Sequence, residues 1–201
     1  LRDGAQTLGV TFSLQDKISI CERLDQLGFD FIEGGFPGSN PKDTQFFKAT
    51  KKLNMSNSKI VSFGSTRRKN TDPKDDISLS QVLDTQTETV VLFGKSWQLH
   101  VKEVLNTTLE ENLNMIYDSI RYLREQGREI IFDAEHYFDG FKSDPDYALR
   151  TLMSAEKAGA RAIVLCDTNG GTLTHDVELI TRKTVTKIGS KAGVHCHNDT
   201  G

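Results

Sequence analysis

Two histidines, His195 and His197, stand one residue apart at the end of the run KAGVHCH (191–197), and Asn-Asp-Thr-Gly follows at once. Side chains two apart on a strand share a face. Both imidazoles would therefore project to one side, with Cys196 on the other. Paired imidazoles suit a divalent metal, but a working site also needs a carboxylate and an open coordination position. By itself a His-x-His pair fits a buried, hydrogen-bonded structural role equally well. Other polar groups stand where apolar runs would finish: Arg2-Asp3 near the start, then Glu33, Glu135 and Asp167-Thr168. An Arg adjoining an Asp is in most proteins a surface pair. At a strand end, with Glu33 at the next one, it forms an inward Asp–Arg–Glu cluster.

These groups hang on a repeated pattern. Candidate strands are FDFIEGG (29–35), KIVSFG (59–64), ETVVLFG (88–94), REIIFDAE (128–135), RAIVLCD (161–167) and KAGVHCH (191–197). With one wider interval, each begins about 30 residues after the last, the length of a βα unit. The runs are apolar on both faces, as strands of a buried parallel sheet are. The intervening stretches start as helices do. Ser13 with Asp16, and Thr108 with Glu111, have the spacing of capping boxes. Asn40-Pro41 and Asp144-Pro145 put a cap ahead of a proline at the first helical position. Thr174 before Asp176 and Glu178 marks a start by capping and by the helix dipole. Gly28, Gly127 and Gly159 mark helix ends, where glycine accepts the left-handed conformation.

Repeated βα units build either an open doubly wound sheet or a closed (β/α)8 barrel. The G-x-G-x-x-G fingerprint and the Walker P-loop are absent, which weakens the first. Barrel chemistry sits at the C-terminal strand ends, where the polar residues above collect. The expected fold is thus α/β, a (β/α)8 TIM barrel read as one partial catalytic domain over 1–201. LRDG would be the tail of a first strand otherwise missing, and the eighth βα unit would follow Gly201.

Bulk properties agree with one such domain. The 201 residues are 36% apolar and 26% charged, with a net charge of −3, which is ordinary for a soluble globular chain. The charge gives no general reason to expect nucleic acid. No apolar run approaches the roughly 20 residues that span a bilayer. The three cysteines form no C-x-x-C and no close pair, which suits a reducing compartment. A cytoplasmic setting, without membrane or nucleic-acid partners, is expected.

The segments LRDGAQ, IEGGFPGSNPKD, DAEHYFDGFK, LCDTNGGTL and GVHCHNDTG, in this order, resemble the pyruvate carboxyltransferase group of metal-dependent barrels. That group holds 2-isopropylmalate, homocitrate and citramalate synthases and 3-hydroxy-3-methylglutaryl-CoA lyase. EGGFPGSNPKD and DAEHYFDGF look like the long-form citramalate synthases. The resemblance implies that Asp3, His195 and His197 are ligands to magnesium, manganese or zinc, with an asparagine beyond Gly201 as the fourth. It implies that Arg2 stabilises an enolate or polarises a ketone, that Glu33 orients Arg2, and that Gln6, Glu135 and Thr168 line the substrate pocket. Asn198 is not the fourth ligand; it shapes the turn. Ala5 departs from the relatives, many of which carry Glu or Asn there, and so removes a polar contact.

The implied activity is a Claisen-type acyl transfer from acetyl-CoA to pyruvate, giving citramalate and CoA for isoleucine biosynthesis. The enzyme would be a homodimer acting on small molecules. Chemically, the metal polarises the ketone, Arg2 meets the developing alkoxide, and Glu135 is the candidate proton acceptor beside the thioester carbonyl. Phe63, Phe93 and Asp133 are candidate pocket-wall positions; none supplies a cation for a second carboxylate, which disfavours 2-oxoglutarate. Three alternatives stay open: a 2-isopropylmalate synthase-like enzyme using another 2-oxo acid, a lyase, and a metabolite-binding barrel without catalysis. Arg67, Arg68 and Lys69 either meet CoA phosphates or form a solvated loop diluted by Asp72, Asp75 and Asp76. DTNGG is read as a turn rather than a phosphate cradle, and Trp97 as packing. His136 is expected to point away from Glu135, and His100 and His175 carry no assigned role.

Overall fold

The computed structural model describes residues 1–197, so Asn198 and the turn after the histidines lie outside the described residues. Six strands, β1 (Phe31–Gly35), β2 (Lys59–Ser65), β3 (Thr89–Lys95), β4 (Glu129–Glu135), β5 (Ala162–Asp167) and β6 (Lys191–Cys196), pair in parallel in sequential order. The helices are α1 (Leu14–Gln26), α2 (Pro41–Thr50), α3 (Ile77–Asp84), α4 (Gln98–Glu103), α5 (Leu109–Glu125), α6 (Tyr137–Ser143), α7 (Pro145–Ala158) and α8 (Thr174–Val185). A doubly wound sheet would reverse its strand order at a switch point; this one never does. It curls instead, as the strands of a (β/α)8 barrel do. The Arg2 N–H donates to the Glu33 carbonyl on the β1 edge (3.2 Å), while the neighbouring Asp3 meets His195 at the end of β6.

Alternation along the strands separates two surfaces. Val90, Leu92, Ile130, Phe132, Ile163 and Leu165 point outward and pack with Ile116, Ile120 and Leu123 of α5 and Leu152 of α7. Fully burying each such side chain contributes about 1.5–3 kcal/mol. Ile32 joins Cys21, Phe46 and Phe47 in a second outer cluster. The residues in between, Val61, Phe63, Val91, Phe93 and Ile131, pack on one another on the inner face.

The strand bounds fall within two residues of those read from the sequence. Ser13 and Asp16 form the full reciprocal capping box. Asn40 and Asp144 cap α2 and α7 ahead of their prolines, and the three glycines hold φ between 78° and 95° at helix ends. At α5 only half a box forms. Thr108 accepts from the Glu111 N–H (3.1 Å), but the Glu111 carboxylate is drawn to Arg67 instead (2.7 Å). Thr174 is not a cap: α8 begins at Thr174 itself, after an uncapped Leu173. Within LRDG, Asp3 and Gly4 belong to a 3-10 turn (Asp3–Gln6), which leaves at most Leu1 and Arg2, the latter meeting the β1 edge, for the strand tail. In β1 a bulge between Glu33 and Gly35 re-aims the chain. Gly35 is required there, since a Cβ would lie 2.5 Å from the Asp43 carboxyl carbon. No described helix is long and apolar enough to cross a membrane.

Candidate active site

The inner face of β6 and the turn after Arg2 meet. His195 Nε2 lies 3.3 Å and His197 Nε2 3.7 Å from the same Asp3 oxygen, Oδ2. One donor atom from each of the three residues falls within 4.8 Å of the others. Asp3 reaches this position because the 3-10 turn starts at it, and because Arg2 beneath it is fixed from three sides. The Arg2 guanidinium lies over the Phe63 ring (3.8 Å to the centroid). Its Nε donates to Glu33, and Nη1 faces Asp3 Oδ1 (3.5 Å) and donates to Gln6 (3.4 Å). The donor set, one carboxylate oxygen and two imidazole nitrogens, fits a small divalent cation. The three side chains are 28–37% exposed toward the cavity, so the geometry leaves coordination positions open.

A cavity of about 830 Å³ spreads from this cluster. Arg2, Asp3, Gln6, Glu135, Thr168, His195 and His197 all line it, as do the wall positions Phe63, Phe93 and Asp133. Glu33 is not among the lining residues and touches the cavity only through Arg2. Ala5 lines the cavity as well. Thr168 Oγ1 accepts from the His136 N–H (2.9 Å), which ties the β5 end to the β4 end. Phe36, Phe63 and Phe93 form an aromatic wall, the last two stacked with centroids 5.0 Å apart.

Two inner residues escaped the sequence reading. Lys95 ends β3 on the same alternation as Val91 and Phe93, and its Nζ lies 2.5 Å from Glu135 Oε2. Extending the run 88–94 by one residue would have found it. Cys166, two residues before Thr168, lines the cavity beside Asp133 and His195. Burial pushes the Asp133 carboxyl up to about 7, and the Glu33 charge adds to this. Burial likewise raises the Cys166 thiol well above its usual range.

Other expectations are corrected or refined. Arg67 is unavailable to CoA, because its guanidinium is buried and committed to Glu111 and Asp118 (2.7 Å each). Arg68 is exposed, and Lys69 donates to the Asn106 carbonyl. DTNGG is a turn: Asp167 accepts from the Thr172 N–H and hydroxyl (3.1 and 2.8 Å), and that carboxylate would repel phosphate. His136 does point away from the cavity, but the strand has already ended. Its φ of 56° turns the ring toward Asp139, His100 and Trp97.

A curled parallel sheet with this carboxylate–imidazole cluster at its C-terminal rim defines a class of barrel. The HMGL-like family model matches residues 1–201, and the chain belongs to that family. Among relatives, it is 52% identical over its whole length to the (R)-citramalate synthase of Sulfolobus acidocaldarius, spanning 38% of that protein. It is 35% identical to the 2-isopropylmalate synthase of the same organism, again over the whole chain and across 50% of that protein. The HMG-CoA lyase of Bacillus subtilis superposes with a TM-score of 0.79 at 16% identity, over 100% of this chain and 67% of that one. At that identity the likeness shows the fold.

Proposed function

We propose that residues 1–201 are the catalytic barrel of a citramalate synthase, joining acetyl-CoA to pyruvate and releasing CoA, a step toward isoleucine. The observation that carries this reading is the identity of 52% to a citramalate synthase against 35% to a 2-isopropylmalate synthase of one organism. The cluster of Asp3, His195 and His197 would hold a divalent metal, whose Lewis acidity polarises the ketone of the 2-oxo acid. Arg2, locked by Glu33 and Phe63, presents its charge where the alkoxide develops. Glu135 takes a proton from the acetyl methyl. The resulting carbanion bonds to the keto carbon, and water cleaves the thioester to leave a carboxylate and the CoA thiol. Gln6 and Thr168 offer hydrogen-bonding groups on the cavity wall, and the stacked Phe63 and Phe93 suit a methyl such as that of pyruvate.

Release of free thiol from acetyl-CoA by the full-length protein, with a panel of 2-oxo acids with and without a chelator, tests this. The expected result is release with pyruvate that the chelator abolishes. Release with a different oxo acid alone would refute the pyruvate assignment, and no release with any would refute the acyltransferase.

A further inference from the structure

We infer that Lys95 is the positioning residue for Glu135: it holds that carboxylate in place on the cavity wall. The inference rests on reading Glu135 as the proton acceptor. Lys95 and Glu135 are register partners at the ends of β3 and β4, and their side chains are only 15% and 22% exposed. An exposed lysine–glutamate pair contributes little and wanders; this pair is confined. Its backbone is pinned as well. The Lys95 carbonyl accepts from Asn112 Nδ2 (2.8 Å), and the Ser96 N–H donates to the Glu135 carbonyl (3.0 Å).

The geometry of the contact matters. Nζ is 2.5 Å from Oε2, and that oxygen is buried. Glu135 nevertheless lines the cavity. The ammonium thus secures Oε2, and the carboxylate's other oxygen is the one left to take a proton, as a general base must. Lys95 also lies on the inner face near Phe93 (5.9 Å from the ring centroid), behind the residues that line the cavity.

Two variants of the full-length protein, Lys95→Met and Lys95→Arg, test this beside Glu135→Gln. The readouts are kcat and KM for thiol release, and uptake of deuterium from D2O into the acetyl methyl. Lys95→Met should lower kcat and deuterium uptake together by about 100-fold, the scale of a misplaced catalytic group, and leave the oxo-acid KM unchanged. Lys95→Arg, keeping the charge with different geometry, should recover part of both. Far-UV circular dichroism identical to the parent shows that the loss is not unfolding. Should Lys95→Met keep full uptake while Glu135→Gln loses it, Lys95 does not position the base and only this inference falls. Uptake surviving in Glu135→Gln would remove the base assignment and this inference with it. A raised oxo-acid KM at unchanged kcat would make Lys95 a carboxylate-binding group and overturn the positioning role.

Discussion

Asp3→Asn gives the sharpest test of the metal cluster, because it needs no turnover. Asp3 Oδ2 is the one atom that faces both His195 and His197. Its side chain is 37% exposed, so the amide should leave the fold alone while deleting the anionic donor. A ligand present at 100 times its Kd stabilises by about 2.7 kcal/mol. For a domain of this size, each kcal/mol moves Tm by about 2–4 °C, so saturation should raise it by roughly 5–11 °C. Weakening affinity by about 100-fold, the upper end for loss of a mere outer-shell partner, brings the same concentration level with Kd. Only RT ln 2, about 0.4 kcal/mol or roughly 1 °C, then remains. Differential scanning fluorimetry of chelator-treated protein, titrated with magnesium, manganese or zinc, reads this directly. Cys166→Ser is the informative companion, since Asp133, Cys166 and His195 form a second group of donors within 4.8 Å. A shift that survives Asp3→Asn but disappears with Cys166→Ser would place the ion in the wrong cluster for the reasoning above and refute it.

Two further predictions concern the scaffold. Arg67→Met should cost about 1–3 kcal/mol in urea unfolding, the range for losing hydrogen bonds to charged groups, because it leaves the part-exposed Glu111 and Asp118 without their shared cation; an altered KM for acetyl-CoA at unchanged stability would contradict this. Asp25 accepts from the backbone N–H groups of Ser56, Asn57 and Ser58 (2.7–2.9 Å), which holds its carboxyl below the usual 3.8. The native state then binds fewer protons than the unfolded one, so this contribution is whole above about pH 4 and fades as pH falls through the depressed value. Asp25→Asn should lower the urea midpoint at neutral pH and flatten its acid dependence; a parallel acid limb in the variant would show that Asp25 is not responsible.

Strands, caps and the inward set were legible because each follows from short-range rules. Strand periodicity places His195 and His197 on one face whatever lies elsewhere, and Ser13 and Asp16 cap α1 from their spacing alone. What escaped was decided by partners far apart in the chain. Thr108 and Glu111 have the capping spacing, but Arg67, more than 40 residues earlier, offers Glu111 a stronger electrostatic contact than its own cap N–H. The same pairing withdraws Arg67 from any phosphate. Lys95 falls outside the run 88–94 because a lysine after FG reads as the solvated end of a strand; strand alternation carries it inward, and the register with Glu135 gives it a partner there. The conjunction of Asp3 with the two histidines spans 192 residues. It was inferable only through the barrel, whose curl brings the first and last described elements together.

That curl also explains how one sheet supports both stability and an uncompensated polar interior. Leu92, Phe132 and Leu165 are fully buried against the helices, and truncating any of them to alanine falls in the range of about 2–5 kcal/mol. Their immediate neighbours Phe93, Asp133 and Cys166 face the cavity instead. A one-residue slip in any strand would exchange the two sets, placing Cys196 inward and both imidazoles among the helices. The outer packing therefore fixes the register that the site depends on. It also bears the cost of keeping Asp133 buried with its carboxyl pushed up to about 7, a burden that a core chosen for stability alone would not retain. Because most of the fully buried apolar contacts lie on the far side of the sheet, an inner residue such as Phe93 can change at smaller cost to the fold. Phe63 is the exception, since Arg2 rests on its ring.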